Sequence, residues 1–434
     1  MTTQTQLVLG AGADAIRVAA SLLRQQPDQR LRVCLTAPAL PDALACVERT
    51  SWRASDSAQL AAVVGPVQPV PDARAEDEAV GIVAQGAAHR LPLQPWTVGQ
   101  LLQRGERRQA ARSWLRARAR NGLSVVVGGG QEERSYLDWV VRRMGRPAFE
   151  SLYADYAARR WGRPGDVLAA SVARQAHGGQ HDGGRVRPVA PDDHGVSRAQ
   201  GLLDAAGVEV VACSSARVRI ENGRAVGIDG DNGLSWSGRL FTTLAPSELA
   251  VRLGEACPPT ANHLAASLAP EPCWRLRLSG AVAGVPDELH ILDPAPCWRY
   301  VRAPDAPGDW LVSVTGSSPT EALAEDIRDH ARQLGLVGDD ARVLSTGAVP
   351  GGLPVWGPSD NARLRTVLEV WQKLGIQAVG RGGAHADLDP TQVLAHLQSV
   401  VDGADLLEAW RIHVAPPARA EDLDARITRF VAAG

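Results

Sequence analysis

The run Gly10-Ala11-Gly12-Ala13-Asp14-Ala15 follows directly on the apolar Leu7-Val8-Leu9. Glycines at these positions suit a pyrophosphate. Gly10 permits a tight turn, Gly12 lets backbone approach the phosphates, and Ala15 is small enough for the next helix to pack on the strand. The N–H groups at that helix start would face the anion. Ile16, Ala19, Ala20 and Leu23 recur at helical spacing, Pro27-Asp28 ends the helix, and Leu31, Val33 and Leu35 form a second strand. Such a strand should end in Asp or Glu to hold a ribose hydroxyl, and Thr36 stands there instead. A charge-assisted hydrogen bond of that kind is worth about 1.5–3 kcal/mol, a tenfold to hundredfold change in affinity.

A second candidate anion or cofactor site lies near the C-terminus. Ile376 to Val379 reads as a strand, Gly380-Arg381-Gly382-Gly383 turns the chain, Asp389 caps the next helix and Pro390 opens it. Tyr153, Tyr156 and Trp161 cluster at the end of a helix, with Arg159 and Arg160 between them. Such aromatics usually serve packing, and they also suit stacking on a planar ligand.

Other chemistry is disfavoured. Lys373 is the only lysine, set in an ordinary helical stretch, so a Schiff-base mechanism is set aside. His177 and His181 are four apart, but Gly178-Gly179 prevents the helix that would turn both toward one metal, and no metal site is expected. Cys34, Cys46, Cys213, Cys257, Cys273 and Cys297 form no CxxC pair and read as buried thiols in a reducing compartment, with the cytoplasm as the default location. A net charge of -2 argues against wholesale attraction to nucleic acid or membrane, and no apolar run is long enough to span a bilayer.

The elements that must position these residues follow a mixed grammar. The length of 434 residues suggests two domains, and 45% hydrophobic content supports a sizeable core. A helix is expected over Asp56 to Val64, then a hairpin with Gly81-Ile82-Val83 and His89-Arg90-Leu91 around Gln85-Gly86. Thr97 to Arg120 is helical and basic, carrying Arg104, Arg107, Arg108, Arg112, Arg116, Arg118 and Arg120 against Glu106. It reads as a solvated face, or as a surface for nucleic acid or an acidic partner. Val125 to Gly130 is a linker into a helix over Ser135 to Met144, which meets a second helix at Gly145-Arg146-Pro147. Residues 176–195 are a glycine- and proline-rich stretch. Beyond it come a short helix, the strand Val208 to Cys213, a hairpin with Asn222-Gly223 at its tip, four strands between 273 and 315, and an amphipathic helix from Glu321 to Leu336.

The order of parts resembles the flavin-containing amine oxidases, and among them the protoporphyrinogen oxidase-like and UDP-galactopyranose mutase-like branch. The N-terminal GAGADA turn, the helix pair with Tyr156 and Trp161-Gly162 at the branch's spacing, the strand in APCWRYVRAPD, and the C-terminal VGRGGAHADLDPTQVLAHL carry the resemblance. It implies a Rossmann-like FAD/NAD(P)-binding domain from residues 1–75, 190–262 and 346–434, and a second α+β substrate domain of helices plus antiparallel sheet from 76–189 and 263–345. FAD would be held by Gly10, Gly12, Ala15, Thr36, Val218, Gly380, Arg381 and Asp389, with Val218 beside the adenine and the helix at Asp389 aimed at the isoalloxazine. Tyr156, Trp161 and Arg299 would line the substrate side, with Arg299 at the family arginine. His385, beside Asp387, is the nearby group suited to proton transfer at neutral pH; otherwise it is a surface loop residue.

Departures accompany the likeness. The family's GG-Arg turn and its later Asp-x-Gly segment are not found between Ala37 and Gly65, where Arg49-Thr50 is a faint remnant, and the mutase's phosphate-binding tyrosines are absent near His385 and Ala386. Two readings follow. One is a FAD-dependent oxidoreductase acting on a small planar molecule. The other is a flavin-free member of the fold serving as a binding or partner subunit.

Overall fold

The computed structural model describes residues 5–37, 52–53, 67–69, 80–84, 86–90, 108–109, 112–113, 115, 133–177, 185–188, 196–231, 233–303, 306, 308–316, 318–386, 388 and 390–413. The expected helix over 56–64, the linker 125–130, the His177/His181 loop beyond His177, and Asp387 and Asp389 lie outside these residues, as does most of the basic stretch 97–120.

Leu7, Val8 and Leu9 are fully buried, which explains a run with no polar alternation. Their strand, Gln6–Ala11, is central in a five-stranded parallel sheet ordered Gln377–Ala378, Arg239–Thr242, Gln6–Ala11, Leu31–Ala37, Glu209–Ala212. The helix Gly12–Gln25 leaves the turn as expected and buries Ala15, Ile16, Ala19 and Ala20. Neighbouring strands come from distant parts of the chain, so the sheet exists only once three separate segments have met.

Residues 235–242 form two strands. Ser235–Ser237 pairs antiparallel in a small sheet with Arg224–Asp229 and Arg217–Glu221, while Arg239–Thr242 joins the parallel sheet. The switch falls at Gly238, where an added Cβ would lie 2.3 Å from the Thr5 carbonyl oxygen. Val218 lies on the edge strand Arg217–Glu221 of that small sheet, opposite Ile228. Asn222 and Gly223 at the hairpin tip both have positive φ, 50° and 74°.

The second sheet has seven strands in the order Val343–Ala348, Cys273–Ser279, Asp309–Thr315, Arg299–Arg302, Glu288–Ile291, Val80–Ala84, Ala87–Arg90. The expected hairpin around Gly86 forms its edge. Side chains alternate between faces with period two. Leu276, Leu289, Ile291, Tyr300 and Val312 therefore share one face and pack with Ile327 of the helix Glu321–Gln333. The other face carries Arg275, Arg277, Glu288, Arg299 and Ser313, all buried.

The helix pair meets at Gly145 (φ 87°), and its second member runs through a π-helical segment, Phe149–Tyr153, into Ala154–Trp161, ending at Gly162 in the left-handed region. Ser135 and Asp138 form a capping box at the start of Tyr136–Met144. Within the glycine- and proline-rich stretch, Arg185–Pro188 is a strand that pairs with Trp52–Arg53 and Val67–Pro69, which the sequence reading did not anticipate. Cys34, Cys213, Cys257, Cys273 and Cys297 are buried free thiols. Among the described residues, no helix is long and apolar enough to cross a membrane, and no group of three His, Cys, Asp or Glu side chains is arranged to hold a metal.

Candidate functional site

Two places gather the chemistry. The first is the buried charged face of the seven-stranded sheet. Register sets a row across four strands: Arg275 opposite Ser313, Ser313 opposite Arg299, and Arg299 opposite His290. Glu288 lies two residues from His290 and so on the same face. The helix Ala154–Trp161 closes over them. Arg159 fastens it by donating to the carbonyl oxygens of Cys297 (2.6 Å), Ile291 (3.0 Å) and Asp293 (2.7 Å).

A hydrogen-bond chain runs through this face. Arg160 Nη1 donates to the Tyr156 hydroxyl at 2.8 Å, Tyr156 to His290 Nδ1 at 2.8 Å, and His290 Nε2 to Glu288 Oε1 at 3.0 Å. The tautomer follows from pairing: Nε2 must carry the proton to face a carboxylate. Arg299 Nε stands 2.8 Å from the same Glu288 oxygen. Burial alone would raise the Glu288 carboxyl, but the Arg299 charge and the His290 hydrogen bond outweigh it and hold the group at about 2. Burial pushes the His290 imidazole down, more than the Glu288 contact raises it, so the ring stays neutral. Burial keeps Tyr156 a phenol.

Trp298 supplies an apolar wall. It stacks on His290 at 6.3 Å, with the Arg160 guanidinium 5.0 Å and the Arg299 guanidinium 5.8 Å from its ring. Trp161 and Tyr156 are buried against each other (5.9 Å), and Trp161 packs on Tyr136 at 5.2 Å. Arg299 is only 3% exposed, and its Nη2 has no hydrogen-bond acceptor among the described residues.

The second place is the C-terminal edge of the parallel sheet. Gly12 has φ 59°, which a turn of this kind requires. A Cβ built there would lie 2.9 Å from Pro350, and one on Gly10 would lie 2.1 Å from Thr243 Oγ1. The glycines thus face the protein's own side chains. Thr36 Oγ1 is 3.1 Å from Glu248 Oε1, so a carboxylate reaches the end of the second strand from the helix Pro246–Leu253. Gly380–Gly383 is a short helical turn. Its Arg381 N–H donates to Asp14 Oδ2 at 3.0 Å, which joins the two glycine turns through one carboxylate. Like unit charges about 4 Å apart at an effective dielectric of about 20 repel by roughly 4 kcal/mol. The residues present therefore do not fit a dinucleotide pyrophosphate held between these turns.

His385 is not at the surface. It is fully buried, with φ 46°, beneath Trp356, whose Nε1–H donates to the His385 carbonyl oxygen at 2.5 Å; Trp356 stacks in turn on Trp410. Burial pushes its imidazole down to about 4, and the Asp360 charge and Val355 backbone offset only part of this. A group so placed is neutral at neutral pH and gains no proton there, so proton transfer by His385 is corrected to a core role. Because the folded value is depressed below about 6.5, His385 stabilises the fold fully above pH ~6.5 and loses this as pH falls through about 4. The loss is expected to reach about 3 kcal/mol, and His290 acts in the same direction. Urea unfolding at pH 7 and 4.5 checks it: His385→Asn, which tolerates positive φ, should lose clearly less stability on acidification than the unaltered chain.

Sequence reasoning singled out Tyr156, Trp161 and Arg299, and the structure brings them to one face. It missed Glu288, His290, Arg160 as the start of the hydrogen-bond chain, and Trp298. The i, i+2 spacing of Glu288 and His290 was the available signal. Asp14, Glu248 and Pro350 at the sheet edge were also missed.

The parallel sheet, the antiparallel sheet and the helix pair together make a fold that this chain shares with several solved structures. Reduced UDP-galactopyranose mutase superposes with a TM-score of 0.69 at 14% identity, covering 97% of this chain and 98% of that one. A putative protoporphyrinogen oxidase from Exiguobacterium sp. 255-15 gives 0.62 at 13% identity, covering 95% and 98%. A putrescine oxidase variant gives 0.53 at 11% identity, covering 82% and 89%. No family model and no curated protein sequence matches the chain. At these identities the likeness establishes the fold.

Proposed function

We propose that this chain is a flavin-free member of the fold that binds a small planar anion on the charged face of its antiparallel sheet. One observation carries the reading: Arg299, almost wholly buried, leaves Nη2 without an acceptor among the described residues. A buried donor left unmatched costs about 1–3 kcal/mol, more when charged, so an anion that fills the position gains that energy. Trp298 beside it suits a planar ligand, and arginine's fork suits a carboxylate or phosphate. The division into a Rossmann-like part (1–75, 190–262, 346–434) and a substrate part (76–189, 263–345) belongs to this proposal, as does a protein partner along Arg104–Arg120.

Titration calorimetry with aromatic carboxylates and phenyl phosphate tests it. Binding should weaken at least tenfold in Arg299→Lys, which keeps the charge and loses the fork. Saturable binding that is unchanged in Arg299→Lys, or none by any of these anions, rejects the assignment. A second reading, a flavin-dependent oxidoreductase of small planar molecules, is favoured by the likeness of the fold to reduced UDP-galactopyranose mutase and a putative protoporphyrinogen oxidase. Flavin absorbance in the purified protein separates the two.

A further inference from the structure

We infer that Asp14 is a built-in anion that replaces a dinucleotide phosphate between the two glycine turns, and that it is the residue that excludes such cofactors. The inference rests on the flavin-free reading and deepens it. Asp14 lies in the first turn of the helix Gly12–Gln25, where a negative charge is stabilised by unpaired N–H groups and the helix dipole. Its Oδ2 accepts the Arg381 N–H at 3.0 Å and stands 3.5 Å from where a Cβ on Gly380 would be. The contact spans 367 positions of sequence. It therefore draws the C-terminal turn onto the N-terminal one, a join that an external pyrophosphate between two such turns would otherwise make.

Two neighbours complete the closure. Pro350 stands against Gly12, 2.9 Å from where a Cβ there would be, so that side of the glycine turn is filled by protein. Glu248 accepts from Thr36 and is paired with Arg252 (3.4 Å), so its carboxylate is engaged at the strand end. The edge of the sheet thus has its anion, its cover and its acid supplied by residues 14, 350 and 248.

The test is equilibrium binding of ADP and FAD, followed by flavin fluorescence and calorimetry, to the unaltered protein, Asp14→Ser and Asp14→Ser/Pro350→Ala. The expected result is no saturable binding by the unaltered chain and measurable binding, at least a tenfold gain over the detection limit, in the double variant. Asp14→Asn, which keeps size and one acceptor, should retain the fold by circular dichroism and gain less. Saturable FAD or ADP binding by the unaltered chain overturns the inference, as does a stably folded double variant that binds neither. Failure here leaves the Arg299 titration untouched, because that site is on the other sheet.

Discussion

Glu288→Ala is expected to destabilise the fold by about 3–5 kcal/mol, the cost of leaving a buried charge without its partner. The reason is specific to this face. Glu288 accepts from His290 and pairs with Arg299, and its removal strands a guanidinium whose Nη2 already lacks an acceptor among the described residues. The double variant Glu288→Leu/Arg299→Met should recover most of the loss, because replacing both members of a buried pair by apolar groups is often neutral. Urea denaturation at pH 7 measures all three chains. A loss under about 1 kcal/mol in the single variant would mean that water reaches Arg299 and that the face is wetter than its burial implies. Acid adds a second check. The depressed Glu288 value means its contribution is complete above its unfolded pKa of about 4.3 and is lost as pH falls through about 2, a window below that of His385.

Gly382→Ala is the second large effect, at about 3 kcal/mol or more. A Cβ there would lie 2.2 Å from the Thr243 carbonyl oxygen and 3.3 Å from the Ala245 nitrogen, both backbone atoms, so neither can swing aside. Gly383 is similar, with the Thr242 carbonyl oxygen at 2.6 Å. The control is Gly201→Ala in the helix Val196–Ala205, where nothing lies within 4 Å and a small gain of about 0.5–1 kcal/mol is expected. Thermal melts of both variants decide the matter. If Gly382→Ala melts with the unaltered chain, the second glycine turn does not sit on the end of Arg239–Thr242. The pair also separates two meanings of a glycine-rich motif: glycines that admit a ligand, and glycines that admit another piece of backbone.

That separation marks where the sequence was legible. The run Leu7-Val8-Leu9, the small residue at 15 and the helical spacing after it are local signals. They foretold strand, turn, helix and strand as found. The hairpins at Gly86 and Asn222-Gly223 were legible for the same reason, because turn chemistry is written within a few residues. The charged face was not. In ELHI and RYVR, charged and apolar residues alternate as they would on a half-solvated sheet. The period shows that two faces differ. It does not show that a helix from residues 154–161 covers the polar one. Likewise Asp14 reads as an ordinary acid in a helix's first turn until residue 381 is placed against it, and His385 reads as a loop residue until Trp356 and Trp410 enclose it. What the sequence concealed were contacts between positions hundreds of residues apart.

The parallel sheet has a consequence for synthesis. Its strand order places Gln377–Ala378 at one edge, beside Arg239–Thr242, and Glu209–Ala212 at the other. At roughly 5–20 residues per second, a ribosome delivers Arg239–Thr242, a direct neighbour of Gln6–Ala11, about 12–47 s after it. During that interval the apolar Leu7-Val8-Leu9 strand waits for neighbours not yet made, and such non-local pairings form slowly even when present. A message truncated before codon 377 is expected to yield a product with an unpaired edge at Phe241 and Thr242.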